Sequence, residues 1–185
     1  MNILCLQGSP RSEGHTAALL GALTQVLTER AARVEVVRLS DRTIAGCRGC
    51  ERCHESALPD HCIQRDDMTP LYGKVLSADA LILASPVYFW HMSAWLKAFV
   101  DRLYCIADRG LSGKKMALVL TGGGDAFDGM DLIVASAERM ARHCGLTFAG
   151  TLFRAPSGDA RIWEPSALRR DADKIACKLT GGAPV

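Results

Sequence analysis

Four cysteines lie close together in one stretch of the chain. Cys47, Cys50 and Cys53 are each separated by two residues, and Cys62 follows after eight more. Thiolates are the usual ligands of iron–sulfur clusters, and bacterial ferredoxins use the same C-x2-C-x2-C run to bind them. The spacing therefore predicts a 4Fe–4S site in which Cys62 is the fourth ligand.

Two other interpretations of these four cysteines stay open. One is simple packing or a redox-active thiol pair. The other is zinc, since His54 and His61 lie nearby, although structural zinc sites usually pair two C-x2-C knuckles across a longer gap. The remaining cysteines lie in apolar segments and are expected to be small buried side chains; they are Cys5, Cys105, Cys144 and Cys177.

A loop rich in glycine and hydroxyl groups follows the first apolar run. It contains Gly8-Ser9-Pro10-Arg11 and then Gly14-His15-Thr16, directly before a helical pattern. A loop that leads into a helix N-terminus offers free N–H groups and the positive end of the helix dipole, which suit a phosphate. The spacing fits neither the nucleotide P-loop nor the dinucleotide G-x-G-x-x-G motif. It predicts a monophosphate ligand, with an ordinary polar turn as the alternative.

Two further segments have the composition of a site for a flat ring. Pro86-Val87-Tyr88-Phe89 follows the third apolar run and supplies apolar and aromatic side chains, for which packing between helices or subunits is the alternative. Thr121-Gly122-Gly123-Gly124 follows the fourth run, and its glycines let backbone N–H groups approach a ring closely. We expect both segments beside the phosphate loop, because ligands bind at the carboxyl ends of parallel strands.

Short apolar runs alternate with longer segments of helical period. The runs cover residues 3–6, 34–39, 81–84, 116–120 and 146–153. This alternation predicts an α/β fold with a doubly wound, five-stranded parallel sheet of order 2-1-3-4-5 and helices on both faces. Polar residues in runs two and five mark them as edge strands. We expect one domain over residues 1–185, with a cysteine-rich insertion loop at about 44–67. Asp66 and Asp67 precede Thr69-Pro70, a helix-start pattern, so we interpret both acids as structural.

The composition argues against several classes of protein. The chain has 185 residues, of which 49% are hydrophobic and 23% charged, as in a globular domain. A net charge of +2 gives no reason to expect a nucleic-acid partner. No run of apolar residues is long enough for a membrane span. The N-terminus also lacks the pattern of a signal peptide, so we expect a cytoplasmic location.

The phosphate loop, together with the segment from Pro86 to Arg102, resembles the NADPH-dependent FMN reductase family of the flavodoxin-like superfamily. The resemblance covers roughly residues 1 to 150. It implies an FMN cofactor whose phosphate is held by Ser9, Arg11 and Thr16 and whose ring is lined by residues 86–89. His15 departs from the Asn or Ser usual at that position. The cysteine run resembles the compact motif of the iron–sulfur flavoproteins, a branch of the same superfamily.

These features predict an FMN-dependent oxidoreductase that moves electrons to an acceptor from transiently bound NAD(P)H or from a protein donor. A second interpretation is an electron carrier that passes electrons from ferredoxin through the cluster to FMN. A third is a non-catalytic redox-sensing or binding module. We assign no side chain as a general acid or base, because the flavin supplies the chemistry. The aromatic segment from Phe89 to Trp95 predicts a homodimer or homotetramer.

Overall fold

Strands and helices alternate along the chain, as the apolar runs predict. The structure is a computed structural model, and it describes residues 1–55, 62–124, 129–155 and 163–182. The strands are β1 (Asn2–Gln7), β2 (Arg33–Arg38), β3 (Ala80–Tyr88), β4 (His91–Met92), β5 (Lys115–Thr121) and β6 (Thr147–Arg154). The α-helices are α1 (His15–Glu29), α2 (Arg52–Glu55), α3 (Thr69–Ser77), α4 (Ala94–Arg102), α5 (Met130–His143) and α6 (Pro165–Thr180), and 3-10 turns cover Leu39–Asp41 and Leu103–Ile106.

The main sheet is parallel, in the order β2-β1-β3-β5-β6. Because β5 and β6 are the fourth and fifth predicted strands, the predicted doubly wound order is confirmed. The burial of each strand depends on its position in the sheet. Most residues of the central strands β1, β3 and β5 are buried, whereas in the edge strand β2 Val37 alone is buried. Strands covered on both faces need continuous apolar runs, and edge strands do not.

Six strands occur in the described ranges, where five were predicted. The additional strand is β4, which pairs antiparallel with the end of β3 through Val87 and Met92. Phe89 and Trp90 form the two-residue turn between them, with φ angles of 47° and 64°. Such turns normally take Asn-Gly or Asp-Gly, because both central residues need a positive φ. Because Phe89 and Trp90 are not typical residues of such a turn, the sequence pattern does not predict the hairpin or β4.

Helices cover both faces of the sheet and enclose two apolar layers. On one face α1 and α6 pack against side chains such as Ile3 and Ile82. On the other face α3, α4 and α5 pack against Leu4 and Leu118. Within the described part of the chain, no helix is long and apolar enough to span a membrane. The packing prediction for the scattered cysteines is confirmed for the buried Cys5, Cys105 and Cys177, while Cys144 is half-buried.

Candidate functional site

A cleft opens at the carboxyl ends of β1, β3 and β5. The three predicted loops meet there because parallel strands place their carboxyl ends at one edge. The lining includes every predicted cofactor-binding residue except Phe89 and Gly124. It consists of Ser9, Arg11, Gly14, His15, Thr16, Pro86, Val87, Tyr88, Thr121, Gly122 and Gly123.

The phosphate loop forms a tight turn before α1. The Ser9 hydroxyl accepts a hydrogen bond from the Arg11 N–H at 3.2 Å and donates to the Arg11 carbonyl at 3.4 Å. Gly14 then begins α1 as its N-cap residue. The first N–H groups of a helix have no partner within it, and the helix dipole is positive at this end. With the Arg11 side chain exposed beside them, these groups favour an anionic ligand such as a phosphate.

The start of α1 is tied to the end of β5 by a buried contact. The hydroxyls of Thr16 and Thr121 lie 2.7 Å apart and share a hydrogen bond. Next to it, a Cβ on Gly122 would lie 3.3 Å from Val87 Cγ2, so the backbone approaches the β3 loop closely. The Gly122 N–H donates to the Arg154 carbonyl at 3.3 Å. The glycines were predicted to aim N–H groups at a ring; the Gly122 N–H is instead used within the sheet.

A serine network that the sequence analysis missed holds the first two loops together. Ser93 is fully buried, and its hydroxyl donates to the Gly8 carbonyl at 2.6 Å. The Ser93 N–H donates to the Ser85 hydroxyl at 2.9 Å, and the Leu96 N–H donates to the Ser93 hydroxyl at 3.3 Å. Ser93 is therefore the N-cap of α4 as well as a link to β1. A serine directly before an amphipathic pattern is the signal that predicts such a cap.

Replacing Ser93 with alanine is expected to lower the free energy of unfolding by about 1–2 kcal/mol, because the cap is lost and the Gly8 carbonyl loses its donor. Urea denaturation of wild type and variant measures this difference. Ser40→Ala is the matched control, since the Ser40 hydroxyl is an exposed donor to the neighbouring Asp41. Equal unfolding midpoints for the two variants would contradict this assignment.

Two aromatic residues differ from the prediction. Phe89, predicted to line the flavin, is 91% exposed, because the positive φ of the hairpin turn directs it to solvent. Trp163, which was not predicted, packs against His15 of the cleft with ring centroids 4.9 Å apart. Its indole N–H donates to the Ala155 carbonyl at 3.4 Å. Trp163 is distant from the predicted loops in sequence, so no local motif pointed to it.

The cysteine loop is closed at its base by two aspartates. The Asp67 carboxylate accepts the Thr43 N–H at 2.7 Å, and the Asp67 N–H donates to the Thr43 carbonyl at 3.2 Å. The Asp66 carboxylate accepts the Ala45 N–H at 3.0 Å. The structural role predicted for both acids is confirmed. Their partners, however, lie on the opposite arm of the loop and not only at the start of α3.

The four clustered cysteines differ in exposure. Cys53 and Cys62 are buried, whereas Cys47 and Cys50 are exposed. Burial raises the pKa of the Cys53 thiol, and the thiols of Cys62, Cys47 and Cys50 act in the same direction. Among the described residues, no group of three or more His, Cys, Asp or Glu side chains is arranged to hold a metal. The iron–sulfur site stays a prediction, and His61 of the zinc alternative lies outside the described residues.

The Cys53 segment contacts the residues that follow α4. The Arg109 guanidinium donates to the Cys53 carbonyl at 2.8 Å. The His54 ring, the other zinc candidate, packs edge-on against Tyr104 with centroids 4.7 Å apart. The loop is therefore anchored to the protein at Cys53 as well as at its base. Four thiols on one anchored loop are a donor set that suits an iron–sulfur cluster.

Acid is expected to destabilise the protein through Asp66. Burial raises the pKa of this carboxyl, but hydrogen bonds from Arg102, Ala45 and Met68 outweigh burial and lower the pKa below its usual value. A carboxyl whose pKa is depressed on folding stabilises the protein above its unfolded pKa, near about 3.9, and this contribution disappears as pH falls through the lower native value. The free energy of unfolding should therefore drop below about pH 4.

Urea midpoints of metal-free protein between about pH 2.5 and 6 measure this pH dependence, using Asp66→Asn as the comparison. The variant should lose less stability over the acid range than wild type, because the side-chain amide that replaces the carboxyl does not titrate. Parallel curves for the two proteins would show that Asp66 does not contribute to the acid sensitivity.

The sequence of the chain is similar to a known protein family and to several known proteins. The model of the NADPH-dependent FMN reductase family matches residues 1–151. An iron-sulfur flavoprotein of Methanosarcina thermophila is 30% identical over 151 residues, which are 81% of this chain and 78% of that protein. An iron-sulfur flavoprotein of Archaeoglobus fulgidus is 39% identical over 103 residues, which are 56% of this chain and 46% of that protein. The chain therefore spans less than half of this second relative.

A solved structure shares the fold. The NAD(P)H:quinone oxidoreductase from Methanothermobacter marburgensis superposes with a TM-score of 0.71 at 19% identity, covering 99% of this chain and 98% of that one. At this identity the likeness supports the fold alone.

The sheet order and the cleft at its carboxyl edge define a flavodoxin-like α/β protein. Within that class, the chain belongs to the NADPH-dependent FMN reductase family, and its curated relatives include iron-sulfur flavoproteins. The predicted family resemblance is thus confirmed. The protein is a flavin-dependent oxidoreductase.

Proposed function

We propose that the protein binds FMN in the cleft and a 4Fe–4S cluster on Cys47, Cys50, Cys53 and Cys62, and that it passes electrons from a ferredoxin-type donor to an acceptor. The observation that carries the FMN assignment is the convergence of the phosphate loop and the β3 and β5 loops on one cleft. The name iron-sulfur flavoprotein, borne by several relatives, supports the cluster.

Different residues of the cleft bind the phosphate and the ring of FMN. Arg11 and the first turn of α1 hold the phosphate by charge and N–H donation. Val87, Tyr88 and Pro86 form the apolar wall for the ring, and the absence of a Cβ at Gly122 lets the β5 loop pack closely against Val87 in that wall. When bound, FMN supplies the redox chemistry, and the protein positions it and sets its electrostatic surroundings.

Reduction by NAD(P)H is the second candidate function. The family to which the chain belongs supports it, as does the side chain of Tyr88, which lines the cleft and is 42% exposed, leaving a surface on which a nicotinamide can stack. We propose NAD(P)H as a transient donor only, because the sequence contains no dinucleotide-binding motif.

Anaerobic rapid mixing separates the candidates. Loss of flavin absorbance is followed after mixing with reduced ferredoxin, NADPH or NADH, for wild type and for Cys50→Ser. Our proposal predicts fast reduction by ferredoxin that is lost in Cys50→Ser. Fast reduction by NADPH or NADH in both proteins would support the reductase instead. Negligible reduction by all three donors would favour the redox-sensing module.

We also propose a homodimer or homotetramer in the cytoplasm. The β3–β4 hairpin presents Phe89 and Trp90 to solvent with 91% and 55% of their surfaces exposed, and Trp95 follows with 38%. Adjacent exposed aromatic side chains are typical of contact surfaces between protein chains. Light scattering should give at least twice the mass of one chain, and a monomeric mass would contradict the assembly.

A further inference from the structure

A buried arginine joins both arms of the cysteine loop. Arg102, the last residue of α4, is 1% exposed. Its Nη1 donates to the Ala45 carbonyl at 2.9 Å, two residues before Cys47. Its Nη2 lies 3.5 Å from the Gln64 carbonyl, two residues after Cys62. One guanidinium therefore reaches the backbone close to the first and the last of the four cysteines.

Asp66 binds both Arg102 and the arm of the loop that contains Ala45. Its carboxylate accepts two hydrogen bonds from Arg102, from Nη1 at 2.7 Å and from Nη2 at 3.2 Å, which is a bidentate arrangement. The same carboxylate accepts the Ala45 N–H, and Gln64 Nε2 donates to the Gly46 carbonyl at 3.3 Å. The two arms are thus joined by charged and neutral contacts at residues that lie within four positions of Cys47 or Cys62.

The guanidinium is fixed in position and in charge. Arg102 Nε donates to the Tyr72 hydroxyl at 3.3 Å, so α3 and α4 are both part of its surroundings. Burial lowers the pKa of Arg102, but hydrogen bonds to Asp66 and Tyr72 outweigh burial and raise the pKa, and Cys62 acts in the same direction. Arg102 therefore remains a cation at the base of the cysteine loop.

We propose that the Arg102–Asp66 pair positions the iron–sulfur site: it holds the arms at the spacing that brings Cys47 and Cys62 to one cluster, and Arg102 supplies a buried positive charge beside it. This inference rests on the proposed iron–sulfur function. Arg102 is a positioning residue, since it acts through the loop and touches no ligand atom. Its charge has a consequence of its own, because reduction adds a negative charge to the site and a nearby cation favours that change.

The test compares Arg102→Lys, Arg102→Gln and Asp66→Asn with wild type. Lys97→Gln is the matched control, because Lys97 lies on the same helix but forms an exposed ion pair with Asp101. Iron and sulfide are counted per FMN in anaerobically purified protein, and FMN content reports folding. The reduction potential of the iron–sulfur group is measured in the fraction that retains it.

Arg102→Lys keeps the charge but lacks the planar fork, so we expect it to retain less than about half of the wild-type iron, with a potential close to wild type. Removing the cation in Arg102→Gln should shift the potential to more negative values. Removing the anion in Asp66→Asn should shift it to more positive values. Shifts of the reduction potential in opposite directions indicate a charge effect. General loosening of the loop gives no reason for the two variants to shift in opposite directions.

Wild-type iron content in both Arg102 variants, or potential shifts of the same sign in Arg102→Gln and Asp66→Asn, would overturn the proposal while leaving the iron–sulfur function intact. If Arg102→Gln contains no FMN and has therefore not folded, the iron content of Arg102→Lys decides. Absence of iron from wild type itself would overturn both the proposed iron–sulfur function and this inference.

Discussion

Replacing Arg11 with alanine is expected to weaken FMN binding by about 1.5–3 kcal/mol, or roughly 10- to 150-fold in Kd. The Arg11 side chain lines the cleft beside the start of α1, where its charge adds to the helix dipole. The Ser9–Arg11 turn is made by the backbone of Arg11, so the loop itself should persist in the variant. Fluorescence titration of flavin-free protein with FMN measures the change.

Riboflavin provides the internal control for this prediction, because it lacks the phosphate. Arg11→Ala should bind riboflavin as well as wild type does. Arg139→Ala is the matched control variant, since Arg139 is exposed on α5 and is not part of the cleft lining. Equal losses of FMN and riboflavin affinity, or no loss of either, would refute the assignment of Arg11 to the phosphate.

Replacing Cys53 with serine is expected to remove at least about nine-tenths of the iron, because cluster irons are held by cysteine thiolates. Cys53 is buried, and its carbonyl accepts a hydrogen bond from Arg109. The thiols of the other three cysteines raise the pKa of the Cys53 thiol. FMN should be retained, since Cys53 is not part of the cleft lining. Iron and flavin analysis of the purified variant measures both.

Cys144→Ser is the control for the cysteine prediction. Cys144 is half-buried after the end of α5, and burial raises the pKa of its thiol, with Asp108 adding to the effect. Its replacement should leave iron and FMN unchanged. Iron retained in Cys53→Ser would remove Cys53 from the ligand set, and zinc in place of iron in wild type would support the zinc alternative.

The sheet and most of the cleft were predictable because they depend on local patterns. Apolar runs mark the strands, and the loops that follow parallel strands must meet at one edge. Gly8-Ser9-Pro10-Arg11 and Thr121-Gly122-Gly123 could therefore be assigned to one site from their positions alone. Their meeting in a single cleft is what the structure adds.

The features that sequence reasoning missed depend on contacts between distant segments. Arg102 pairs with Asp66 across 36 positions, and Trp163 reaches His15 from the approach to α6. The Phe89–Trp90 turn has positive φ angles that its residues disfavour. Gly129 packs against this turn so closely that a Cβ on Gly129 would lie 2.6 Å from Trp90 Cα. None of these contacts has a local signature.

The most direct test of the account is an absorbance spectrum of anaerobically purified protein, with flavin and iron counted in the same sample. We predict flavin bands from about one FMN per chain, together with about four irons bound as a cluster. FMN without metal would leave the flavin site standing and remove the iron–sulfur function. Protein that contains no flavin, and takes up none when FMN is added, would contradict the central claim.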